Sequence, residues 1–140
     1  MKALFISVLA AGLLFASCGQ SNNSTAATTG TAAEAPVMKF DKDIHDFGKI
    51  KPGDVVTYDF KFTNTGKSPL IISDGYATCG CTKPSWPKTP IKPGDTGMIH
   101  VVFDSRGKSG LQDKLITITA NTNPAQNQMH LVGEVNLNLH

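Results

Sequence analysis

Apolar residues recur at every second position along most of this chain, and that spacing most constrains its fold. In "VVTYDFKFTNTG", Val56, Tyr58, Phe60 and Phe62 alternate with Thr57, Asp59, Lys61 and Thr63. Side chains two apart share one face of a strand, so this segment predicts a strand with one buried face. "GMIHVVFD" repeats the pattern through Ile99, Val101 and Phe103. "KLITITAN" carries it through Ile116, Ile118 and Ala120, and "MHLVGEV" through Met129, Leu131 and Val135. Met38 to Phe40 and Leu70 to Ser73 are shorter runs. No convincing helical period follows the N-terminal segment. The turn "KPGD" closes two "IKPGD" segments, Ile50 to Asp54 and Ile91 to Asp95. Proline presets φ at the first central position of a type II turn, and glycine accepts the positive φ of the second. Asn64-Thr65-Gly66 and the stretch from Asp104 to Gly110 read as further turns. Short alternating strands punctuated by turns predict an all-β domain, an antiparallel β-sandwich from Val37 to His140.

The N-terminus sets the compartment. Lys2, an apolar run from Ala3 to Ala16, and then Ser17-Cys18-Gly19 make an export signal over residues 1–17. The run is too short to remain as a membrane span. "LFASC" resembles a relaxed bacterial lipobox, with Phe15 where the strict form has leucine. Cys18 would then be acylated, and several hydrocarbon chains give stable anchoring to a bilayer. Residues 18–36 are rich in Ser, Thr, Asn, Ala and Gly, with Glu34 the one charge. Such a composition predicts a disordered tether with a reach of roughly 25 Å. The expectation is a cell-envelope lipoprotein, facing the periplasm.

Charge and chemistry narrow the function classes. With Lys2 removed, 12 of the 13 Lys and Arg residues face 11 Asp and Glu, without a basic block. Nucleic-acid binding is disfavoured. His100 and His130 fall on outward strand positions, and His45 precedes Asp46 in what reads as a turn. All three read as surface histidines. No serine has a Gly-x-Ser-x-Gly context and no catalytic constellation is visible, so the chain is expected not to be an enzyme.

"TCGCTKPSW" is the segment that invites chemistry. With Cys18 acylated, Cys79 and Cys81 form an even pair in an oxidising compartment. Residues two apart on an extended strand lie about 6.6 Å apart at Cα, near the upper limit for a disulfide. Gly80 permits the bend that would close it. Three readings stay open: a structural pair, a redox-active pair, or soft Cu(I) ligands joined by Met98 or Met129. Both methionines read more simply as core, and no metal or other cofactor is assigned. Lys83 is the nearest cation to the pair. Thr82, Pro84 and Trp86 are a candidate partner-contact surface; for Trp86, capping the core is the favoured alternative.

The arrangement as a whole resembles a known family. Its carriers are His45-Asp46-Phe47-Gly48, the Tyr58/Phe60/Phe62 strand, Asn64-Thr65-Gly66, and Cys79-Gly80-Cys81-Thr82 with Pro84. Trp86-Pro87, Pro93-Gly94, Phe103-Asp104 and Gly133 complete the set. Together they are similar to domain of unknown function 1573, found in lipoproteins and secreted proteins of Bacteroidetes. That resemblance implies an immunoglobulin-like sandwich related to Hydin and major-sperm-protein domains. It implies no established activity. From the anchor, the tether and the lack of a catalytic constellation, the expectation is a monomeric binding or scaffolding module with an envelope protein partner. A thiol-based redox or copper-handling role for Cys79 and Cys81 is the alternative.

Overall fold

The computed structural model describes residues 34–139. The export signal, the Cys18 anchor and the tether up to residue 33 lie outside these residues. Eight strands run β1 (Met38–Phe40), β2 (Ile44–Ile50), β3 (Val55–Asn64), β4 (Ile72–Ala77), β5 (Thr82–Ser85), β6 (Thr96–Asp104), β7 (Gly110–Ala120) and β8 (Gln126–Val135). They form two four-stranded sheets: a front sheet ordered β1-β3-β6-β5 and a back sheet ordered β2-β8-β7-β4. The immunoglobulin-like sandwich is therefore observed. All pairs are antiparallel except β2 with β8, which run parallel.

The alternating residues build the core. Phe60, Phe62, Ile99, Val101 and Phe103 from the front sheet are fully buried, as are Ile116, Ile118, Met129 and Leu131 from the back sheet. β3 and β6 pair so that Phe60 lies beside Ile99 and Val56 beside Phe103. Both sets of side chains therefore point between the sheets. Met98 departs from the expectation of a core position: it is 53% exposed, paired with Lys61 on the outer face. Its neighbours Ile99, Val101 and Phe103 occupy the inward parity, so Met98 must point out.

The two Pro-Gly segments are type II turns. Asp54 N–H donates to the Lys51 carbonyl and Asp95 N–H to the Lys92 carbonyl, while Gly53 and Gly94 hold φ of 96° and 84°. Each turn is pinned by a buried polar residue. Ser105 accepts from Gly53 N–H at 2.9 Å and donates to the Asp54 carbonyl at 2.7 Å. Asn64 accepts the Gly94 N–H at its backbone carbonyl and donates its own N–H to Asp95. Asn64 is thus more than part of a surface turn. Its side-chain oxygen accepts from Val37 and Gly66 N–H, and its amide donates to the Ser68 and Ile91 carbonyls.

The chain passes between the sheets five times, and two of these crossovers join edge strand to edge strand. Residues 41–43 carry it from β1 at one edge of the front sheet to β2 on the back sheet. Residues 78–81 carry it back at the opposite edge, from β4 to β5. That second crossover contains both cysteines.

Candidate functional site

The crossover is a tight corner. Thr78 N–H makes the last bond to the back sheet, at the Leu115 carbonyl. Three residues later, the Cys81 carbonyl accepts from Asp104 N–H of the front sheet at 2.9 Å. Between them, Thr82 N–H donates to the Cys79 carbonyl and closes a turn. This bend brings the Cα atoms of Cys79 and Cys81 to 5.2 Å, and the two are joined as a disulfide. Its neighbour Gly80 is exposed. The Thr82 hydroxyl lies 3.6 Å from Cys79 Sγ and 3.8 Å from Cys81 Sγ. In this oxidised form the pair offers no thiolate, the species a soft metal needs. Among the described residues, no group of three or more His, Cys, Asp or Glu side chains is placed to hold a metal.

The expected contact surface is rearranged by strand parity. Thr82 pairs with inward-facing Phe103 and is only 4% exposed, so it cannot form an open surface with Pro84 and Trp86. Pro84 pairs with buried Val101 and is half-buried. Trp86 packs against the core and closes the edge between the sheets. Gly75 of β4 makes room for it: a Cβ there would stand 2.7 Å from both the Trp86 ring and Ile118. Lys88 Nζ sits 3.6 Å from the centre of the Trp86 ring, a cation–π contact that covers its outer face.

The opening beside the disulfide lies on the other side of β5. A depression of about 480 Å³ is lined by Val55, Gly80, Cys81, Lys83, Val102, Asp104 and Arg106. Val55 and Val102 give it apolar wall, and Lys83, Asp104 and Arg106 give it charge. Arg106 Nε lies 3.0 and 2.8 Å from the two carboxylate oxygens of Asp104. These bonds hold the Asp104 carboxyl below its ordinary range and raise the Arg106 guanidinium. Lys83 has no ion-pair partner among the described residues. Sequence reading found Cys81 and Lys83 here but missed Val55, Val102, Asp104 and Arg106. Only the β5–β6 and β3–β6 registers bring those four to the disulfide, and no local motif announces them.

The histidines divide. His100 and His130 are surface residues bonded to Asp59 at 2.6 Å and to Asp113 at 2.8 Å. His45 is not in a turn. It lies in β2, half-buried, with its ring stacked 3.5 Å from that of Tyr58 at 9°. Burial is the main cause that lowers its pKa from 6.5; Lys42 adds to this and Asp46 opposes it. The fold therefore favours the neutral ring. Stability should be full above pH 6.5 and fall as pH drops below it. The loss should level off once the folded His45 has also bound its proton. Acid titration of stability by chemical denaturation should show a shallower limb for His45→Phe, and an identical limb would contradict this assignment.

The model of the family described as protein of unknown function DUF1573 matches residues 38–135, from the first residue of β1 to the last of β8. The chain belongs to this family. No curated protein matches it significantly. Among solved structures it is similar to a protein of unknown function from Porphyromonas gingivalis, with a TM-score of 0.65 and 21% identity. That likeness covers 75% of this chain and 49% of the other, so the chain spans about half of that protein's length. It is also similar to the ASH / PapD-like domain of human CEP192, with a TM-score of 0.54 and 11% identity over 84% and 96% of the two chains. The secreted serine protease VesC from Vibrio cholerae matches at a TM-score of 0.54 and 12% identity, over 73% of this chain and 23% of the protease. At these identities the likenesses show the fold alone.

Proposed function

We propose that this chain is a lipid-anchored cell-envelope protein whose sandwich is a non-catalytic binding module. The supporting observation is the depression beside the β4–β5 crossover. Its wall joins apolar Val55 and Val102 to a rim of Lys83, Asp104 and Arg106. An apolar centre within a polar rim is the make-up of a protein contact surface. Val55 is 58% exposed and forms part of this wall in the isolated chain. The anchor reading rests on the short apolar run that ends in "FASC" and on the polar stretch after it. Together these describe a domain held at a membrane and presenting one end of its sandwich to another envelope protein.

Photo-cross-linking in producing cells tests the binding surface. A photoreactive residue at Val102 should give a discrete adduct, and one at exposed Lys92, in the second Pro-Gly turn, should not. Val55→Glu should remove the adduct while leaving the chain's abundance unchanged. No adduct from Val102, or equal adducts from both positions, would contradict the reading.

A further inference from the structure

We propose that the Cys79–Cys81 bridge is an exchange site that takes two electrons from a peptide dithiol. This goes beyond the binding reading, which needs no chemistry. The bridge encloses one residue, Gly80, so it restricts little of the unfolded chain, and opening it forfeits little stability. Its corner is held independently by the Thr78, Cys81 and Thr82 backbone bonds, so the fold does not depend on the sulfur link. One sulfur residue, Cys81, lines the depression, together with exposed Gly80 and with Lys83. Lys83 supplies the positive field that draws a thiolate, while Arg106 is neutralised by Asp104.

The chemistry balances within the two partners. A substrate thiolate attacks Cys81 Sγ, forming a new sulfur–sulfur bond as the Cys79–Cys81 bond breaks. The electron pair leaves on Cys79 Sγ, which faces the Thr82 hydroxyl at 3.6 Å as a hydrogen-bond donor. The substrate's second thiolate then attacks its own sulfur in the mixed disulfide and releases Cys81 as a thiolate. The substrate departs oxidised, as a disulfide, and the chain retains a dithiol. The peptide dithiol is the reductant and the bridge the oxidant, one exchange per chain.

The test uses the full chain with Cys18→Ser, so that only this pair reports. Two probes are applied, neutral dithiothreitol and anionic glutathione, with acid quenching and peptide mass analysis. Dithiothreitol should open the bridge in the folded protein, yield two alkylatable thiols and leave the circular dichroism spectrum unchanged. Glutathione should be trapped on Cys81. Lys83→Glu should slow the glutathione reaction about tenfold at low salt, with the difference shrinking as salt rises. It should leave the dithiothreitol rate within about twofold. A bridge that opens only under denaturant, glutathione trapped on Cys79, or a charge reversal without effect would each overturn the proposal.

Discussion

Phe103→Ala should cost about 3–5 kcal/mol of folding stability, the usual cost of emptying a buried aromatic site. Phe103 is fully buried, its ring centre is 5.6 Å from that of Phe47, and Lys114 Nζ lies 5.3 Å from that centre. It therefore joins β6 to β2 across the two sheets. Phe60→Ala should cost about as much, because Phe60 is equally buried and meets Tyr58 edge-on at 4.8 Å. A domain of this size has only about 5–15 kcal/mol in total, so either change removes a large share. Leu111→Ala serves as the control: Leu111 is 86% exposed, and its loss should fall within about 0.5 kcal/mol. Urea denaturation measures all three. Losses below about 1 kcal/mol at both phenylalanines would mean that the wrong face of the strands is buried.

The second large effect is expected at a polar residue. Asn64→Ala should cost about 2–4 kcal/mol, because buried groups that lose their partners cost more than the bonds themselves contribute. Asn64 is fully buried and holds four backbone groups on three segments, through the N–H groups of Val37 and Gly66 and the carbonyls of Ser68 and Ile91. Asn64→Asp separates the two halves of this role. The acceptor bonds survive, but a carboxylate would face two carbonyl oxygens. Its folded pKa should be raised, so the variant should lose further stability as pH rises through the carboxyl range. A pH-independent loss for Asn64→Asp, or a loss below about 0.5 kcal/mol for Asn64→Ala, would show that the hub is replaceable.

The legible part of this fold was its parity. Period two alone places Phe60, Phe103, Ile118 and Leu131 in the core, because a pleated strand leaves no other way to bury them. The Pro-Gly turns were equally legible, since Pro52 and Pro93 fix one dihedral and Gly53 and Gly94 accept the next. Parity applied strictly would also have turned Met98 outward and Thr82, Pro84 and Trp86 inward. The region around His45 was illegible for a different reason. A bulge between Asp46 and Lys49 breaks the β2 alternation, and Gly48, at φ 72°, with its N–H bonded to Asp46, looks like a turn in sequence. The parallel β2–β8 pairing was hidden because it joins opposite ends of the domain. The depression beside the disulfide was hidden likewise: Val55, Val102 and Arg106 reach Cys81 only through strand register.

The proposed function holds this sandwich at a membrane through an anchor at Cys18. The mass of the mature N-terminal peptide, taken from protein extracted from membranes, decides this proposal. The expected peptide begins at Cys18 and carries diacylglyceryl and acyl chains, and Cys18→Ser should abolish it. A soluble mature protein beginning at another residue, with Cys18 removed or unmodified, would contradict it.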